Sequence, residues 1–314
     1  YGRSEEIGSL SQYIINNTQT VLYGKSGIGK SSILNAGIFP KARACGLRPV
    51  SIRFDHQCKT SYIEQIRTAV CDAGVTATEV VPIIDPEKET IWEFLHRHIF
   101  KDENGKEIPL LLAIDQFEEI FTLQPNEKVK LRFFSELADL LNDVTPQYIL
   151  DATTNTENQH TEQAKPLVTN LEDLNLDFEE SSANGMPEYV QLPKYHIVLT
   201  LREDFLSYLE RYTAYIPVMR TNRFALQPIN EEQAAEIIMK PCPGLVQKDV
   251  AELIIQKVTG RKDFQLDGTP EIEVDAAILS LYLSRLYEKK AENEGITANL
   301  VNQFSDDIIK DFYE

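Results

Sequence analysis

Between positions 24 and 31 the chain reads Gly24-Lys25-Ser26-Gly27-Ile28-Gly29-Lys30-Ser31, and no other stretch narrows the fold as much. It fits G-x-x-x-x-G-K-[ST], a loop that cradles phosphates. Glycines at these spacings let the backbone curl until successive N–H groups face one anion. Such a loop belongs between a buried strand and a helix whose N-terminus adds its positive dipole end. The flanks predict both: Thr20-Val21-Leu22-Tyr23 reads as a strand and Ser32-Ile33-Leu34-Asn35-Ala36 as a helix start. The pattern then assigns Lys30 to the β- and γ-phosphates and the Ser31 hydroxyl to Mg²⁺. Gly24, Gly27, Ile28, Gly29 and Ser32 complete the expected cradle.

Downstream, Leu110-Leu111-Leu112-Ala113-Ile114 ends in Asp115. A strand apolar at every position is buried on both faces, as in a parallel sheet. A carboxylate at its C-terminal end lies where such sheets bind ligands, which makes Asp115 the second Mg²⁺ residue. Gln116-Phe117-Glu118-Glu119 follows, and a carboxylate just beyond the metal residue can deprotonate or orient water. Glu118 is the first choice and Glu119 the second; the bland alternative is an acidic helix N-terminus. Residues 195–201 read as a further strand ended by Arg202, which is placed to sense a γ-phosphate. Pro49–Asp55 and Phe224–Leu226 supply two more strands, and Tyr1-Gly2-Arg3 is positioned to pass beside a base or to cap the domain. Arg220 and Arg223 are candidates for reaching into a neighbouring subunit.

Amphipathic helices are predicted over 60–73, from Thr90, and over 127–142 with Leu131, Phe134, Leu137, Ala138 and Leu141 inward. His96 and His98, two apart on one predicted helix, fall on different faces and do not suggest a metal site. Residues 143–194 are rich in Thr, Asn, Glu and Asp and read as an acidic insertion. From Pro228 onward the pattern is helical, so the expected organisation is a P-loop domain over 1–227 and a helical lid over 228–314.

The chain carries 31 basic and 49 acidic residues, a net charge of −18. That argues against general nucleic-acid binding and against adhesion to an anionic membrane. No apolar run reaches about 18 residues, so no membrane span is expected, and no signal peptide is evident. Cys45, Cys58, Cys71 and Cys242 show no C-x-x-C spacing, which suits a reducing cytoplasmic setting. The chain opens on Tyr1 rather than methionine, which predicts a segment of a longer protein.

In this order, Tyr1-Gly2-Arg3, Gly24–Ser31, Leu110–Asp115 with Gln116-Phe117-Glu118-Glu119, Thr200-Leu201-Arg202-Glu203-Asp204-Phe205 and Arg223–Pro228 resemble the STAND-class signalling NTPases. The nearest likeness is to the bacterial group with a D-Q-F-E-E Walker B and a T-L-R-x-D-F sensor. The resemblance implies a three-layer α/β/α fold whose five-stranded parallel sheet has the order 5-1-4-3-2, followed by a helical domain. It implies ATP/ADP and Mg²⁺ as cofactors, homo-oligomerisation on ATP binding, flanking N-terminal effector and C-terminal sensor domains, and for many members a role in antiphage defence. Two departures stand out. Gly268-Thr269-Pro270 matches the family's G-x-P element only as a loop, and no winged-helix domain is recognisable before Glu314.

Other P-loop classes fit less well. An AAA+ enzyme remodelling nucleic acid or protein needs a basic face, a GTPase needs N-K-x-D, and an ABC-type ATPase needs L-S-G-G-Q. The chain has none of these signals.

Overall fold

The computed structural model describes residues 1–86, 88–142, 144–151, 194–212, 214–260, 272–291 and 294–304. The strands are β1 (Gln19–Gly24), β2 (Arg48–Ile52), β3 (Thr76–Glu79), β4 (His98–Lys101), β5 (Leu110–Ile114), β6 (Tyr195–Arg202) and β7 (Arg223–Ala225). Five of them form one sheet in the order β2-β5-β6-β1-β7, with every neighbouring pair parallel. Numbered among themselves along the chain, those five run 5-1-4-3-2, as expected. β3 and β4 pair antiparallel as a separate ribbon that the sequence reading missed.

The sheet is buried on both faces because its strands are apolar at consecutive positions. Alternation sends Leu110, Leu112 and Ile114 into one core and Leu111 and Ala113 into the other. On the second face lie α1 (Ser4–Asn16), α2 (Lys30–Ile33), a π-helical turn at Leu34–Ile38 and α3 (Phe39–Ala44). On the first lie α4 (Tyr62–Asp72), α5 (Ile91–Arg97), α6 (Glu119–Leu123), α7 (Glu127–Asn142) and α8 (Leu206–Glu210). A short α9 (Val218–Thr221) leads into β7.

Two local expectations need correction. Leu131 is half-exposed, and the buried stripe of α7 is Lys130, Phe133, Phe134, Leu137, Ala138, Leu140 and Leu141. Lys130 takes the inward place because its ammonium reaches Glu127 at the helix's outer edge while its stem packs. His98 opens β4 rather than sharing a helix with His96.

A third apolar cluster begins at Ile229 and is built from α10 (Glu231–Met239), α11 (Lys248–Thr259) and α12 (Ala276–Lys289). Asn230 and Gln233 start it with a reciprocal capping box: each side chain binds the other's backbone N–H, at 2.9 and 3.0 Å. The acidic stretch 143–194, apart from 144–151 and Lys194, lies outside the described residues, as do Gly268-Thr269-Pro270 and the chain after position 304. Among the described residues no helix is long and apolar enough to cross a membrane.

Candidate nucleotide site at the P-loop

Parallel pairing brings the C-terminal ends of β1, β5 and β6 side by side, with Gly24 in register with Arg202 and Ile114 with Leu199. The P-loop leaves β1 at that edge. Gly27 and Gly29 hold φ at 74° and 98°, conformations that side chains resist, and Gly29 caps α2. Lys30 arches back so that its Nζ donates to the carbonyls of Gly24 at 2.9 Å and Lys25 at 3.0 Å. Burial lowers its pKa, while the charges of Glu118 and Asp115 work in the opposite direction. Arg3, itself buried, clasps the loop from outside. Its Nη2 donates to the Ile28 carbonyl at 3.0 Å and its Nη1 to the Gln227 carbonyl at 2.9 Å. Gly2 packs so tightly on α10 that a Cβ there would lie 2.5 Å from the Gln233 carbonyl oxygen, whereas Tyr1 is exposed.

Opposite the P-loop, Asp115 is held by both oxygens. Ser31 donates to Oδ2 at 2.6 Å, and Thr200, fully buried on β6, donates to Oδ1 at 2.5 Å. The Gln116 backbone N–H reaches the Thr200 hydroxyl at 2.9 Å and Asp115 Oδ1 at 3.1 Å. Gln116 sits at a φ of 54°, the one positive value among described non-glycine residues. This left-handed residue turns the chain sharply, and Phe117 N–H then binds the Thr200 carbonyl at 3.0 Å. The turn buries Glu118 facing the P-loop side, with one carboxylate oxygen lacking a partner among the described residues. Burial raises its pKa, opposed by backbone N–H groups of Glu118 and Arg202 and by the charge of Lys30. Glu119 points elsewhere, pairing with Arg53 at 2.7 Å.

The remaining arginines are engaged. Arg202 makes a two-pronged contact with Asp204 at 3.1 and 2.7 Å and lies over the Phe205 ring. Glu210 holds Arg223 at 2.7 Å and Arg220 at 3.5 Å.

Residues 1–300 match the model of the family described as nSTAND1, Novel STAND NTPase 1. The chain belongs to that family. It is a P-loop NTPase. No curated protein matches it. Among solved structures, it is similar to the ADP form of the Aeropyrum pernix ORC2 protein, at 14% identity and a TM-score of 0.52 over 98% of this chain and 68% of that one. It is likewise similar to Cdc6p from Pyrobaculum aerophilum, at 15% identity and a TM-score of 0.51 over 98% and 67%. At such identities the likeness concerns the fold.

In the nSTAND1 chain, Lys30, Ser31, Asp115 and Glu118 meet at one place, and Arg202 stands at its edge with its guanidinium turned to Asp204. Adjacent hydroxyl and carboxylate oxygens from Ser31 and Asp115 are the donor set that a hard cation such as Mg²⁺ takes, and Glu118 adds an unpartnered oxygen nearby, so these residues fit that ion. Sequence reading missed Thr200. Its signal was available, since Thr200 lies two residues before Arg202 and therefore on the same face of one strand. Thr200→Val keeps the shape but removes the hydroxyl. It is expected to weaken Mg²⁺-dependent nucleotide binding about 10-fold or more, by analogy with the loss of other groups that orient metal ligands. Thr200→Ser should recover most of it. Nucleotide titrations at varied Mg²⁺ concentration check this.

Proposed function

We propose that this nSTAND1 chain is an ATP-driven molecular switch, in which nucleotide occupancy of the P-loop governs the helical domain and, through it, self-association. The observation that carries the reading is the convergence of Lys30, Ser31, Asp115 and Glu118 against a P-loop that the helical domain also touches. The proposed division into a P-loop unit over 1–227 and a helical lid over 228–314 is supported by their separate apolar clusters. The ADP form and the ADPNP–ADP complexes of the similarly folded Aeropyrum pernix protein support an adenine nucleotide.

The proposed roles follow from the positions. The P-loop amides from Gly24 to Ser32 and the Lys30 ammonium bind phosphate oxygens. Ser31 and Asp115 hold Mg²⁺, which when bound neutralises phosphate charge. Glu118 takes the proton of the attacking water. Arg202 exchanges Asp204 for a γ-phosphate, so its position reports whether the third phosphate is present. Tyr1-Gly2-Arg3 closes the base side. The finer reading, antiphage defence or signalling by an assembly with effector and sensor domains, rests on the family resemblance.

Lys30→Ala is the direct test. ATP binding by calorimetry and ATP-dependent assembly by mass photometry should both be lost; survival of both would remove this reading. The alternative, an AAA+-type remodelling enzyme, predicts ATP turnover stimulated by DNA, whereas a switch of net charge −18 should show none.

A further inference from the structure

We propose that Lys25 and Gly27 of the P-loop, with Glu273 and Ala277 at the entry to α12, form a latch that holds the helical lid on the P-loop and sets how long nucleotide stays bound. This rests on the reading that the P-loop binds adenine nucleotide. Lys25 is the second residue of the loop, and the phosphate-binding pattern gives it no task. Its ammonium lies 3.0 Å from Glu273 Oε2 in the lid. The acidic side chains of Glu203 and Asp275 lie near it as well, and all three carboxylates raise its pKa. A second contact adjoins the first. A Cβ built on Gly27, at the loop's apex, would lie 2.9 Å from the Ala277 Cβ, so lid and loop touch with no room for another atom.

The lid side of this contact is rigid, which separates a latch from a chance meeting of two mobile side chains. Val274 is buried and its N–H binds the Ile229 carbonyl at 2.8 Å, tying the residue after Glu273 to the segment that enters the lid. Asp275 caps α12, accepting from the N–H groups of Ala277 at 2.8 Å and Ile278 at 3.1 Å. Glu273 and Ala277 thus move with the lid as a body, while Lys25 and Gly27 move with the P-loop. Any change of loop shape on binding or losing phosphates is felt at the lid through these two contacts. Opening the lid separates both. The ion pair is largely exposed, with side chains 58% and 63% accessible, so its effect is modest and sensitive to salt.

The test follows release of a fluorescent N-methylanthraniloyl ADP with Mg²⁺ from the full chain after a chase with unlabelled ADP. Glu273→Gln and Lys25→Gln are each expected to speed release about 2–5-fold, and the double variant should be no faster than either single one. High salt should bring wild type up to the Glu273→Gln rate and leave that variant unchanged. Ala277→Leu wedges the contact by pressing on the Gly27 backbone while leaving the loop's own sequence unchanged, and should speed release about 10-fold, with circular dichroism confirming the fold. If Ala277→Leu does not fold, the charge pair still decides. The latch is overturned if Glu273→Gln releases at the wild-type rate, whether or not Lys25→Gln speeds release, or if the two single effects multiply in the double variant. Failure of wild type to bind the labelled ADP at all would instead overturn the nucleotide reading.

Discussion

Glu118→Gln is expected to slow ATP hydrolysis by about 10²–10⁴-fold, the usual worth of a positioned general base, while nucleotide stays bound. It should also make the folded protein more stable at neutral pH. Glu118 sits beside Lys30 and the Arg202 backbone N–H, yet burial outweighs them and its pKa is raised. A carboxyl with a raised folded-state pKa binds its proton more tightly folded than unfolded. Its protonation therefore contributes stability that is complete below the ordinary carboxyl value of about 4.3 and is lost as pH rises through the folded value. At pH 7 the ionised, partly desolvated group is a cost, and the neutral amide removes it. Thermal melts should show Glu118→Gln above wild type by about 1–4 °C at pH 7, with the two converging near pH 4. The acid limb of wild-type turnover should also fall above pH ~4.3. Glu119→Gln is the control. Because Glu119 pairs with Arg53, its loss should leave turnover nearly unchanged. Wild-type turnover in Glu118→Gln would place the base elsewhere.

The features legible in the sequence share one property: their evidence is local. Gly27 and Gly29 announce the loop because only glycine sits easily at their φ values, and Leu110–Ile114 announces a two-sided strand because consecutive residues are apolar. The strand order came from the family resemblance, and the pairings then fixed that Gly24 faces Arg202. What could not be read were contacts between distant positions. Spacing puts Thr200 on the strand face of Arg202, but that its hydroxyl meets Asp115 depends on which strand lies beside it, and nothing near Thr200 in the chain says so. Arg202 was rightly placed at a strand end, but its ion pair with Asp204 is a rotamer choice that spacing does not encode. The five-residue π-turn at Leu34–Ile38 shifts the helix face, and a search at a period of 3.6 passes over it. Leu131 is misread for a related reason: on α7 the apolar residues allow two overlapping stripes, and only tertiary packing, including that against α5, selects one. The meeting of Gly27 with Ala277 likewise joins two residues whose local sequence is ordinary.

Arg3→Met should cost both stability and nucleotide affinity, in contrast to Glu118→Gln. Arg3 is 8% exposed, and desolvation lowers its pKa despite Glu6 at 3.3 Å. A buried guanidinium persists only where hydrogen bonds replace water, and here the carbonyls of Ile28 and Gln227 do so. Ile28 lies in the P-loop and Gln227 at the exit of the last sheet strand. Glu6 in turn accepts from the Gln233 amide of α10 at 2.8 Å. One side chain therefore joins the N-terminus, the phosphate loop and the start of the lid. Methionine preserves much of the volume but leaves two inward carbonyls without donors, at about 1–3 kcal/mol each. The expected loss is about 2–6 kcal/mol, a fall in Tm of roughly 3–9 °C. With the Ile28 carbonyl released, ADP binding should weaken about 10-fold, equivalent to about 1.4 kcal/mol. Lysine at position 3 should restore only part of either, because a point charge on a flexible stem cannot span two carbonyls as a planar fork does. Thermal melts with and without ADP, together with nucleotide titrations, measure both losses. If Arg3→Met melts and binds like wild type, the clasp does not hold the loop and Tyr1–Arg3 only caps the domain ahead of α1. A large fall in Tm with unchanged ADP affinity would confine Arg3 to joining the N-terminus and the lid.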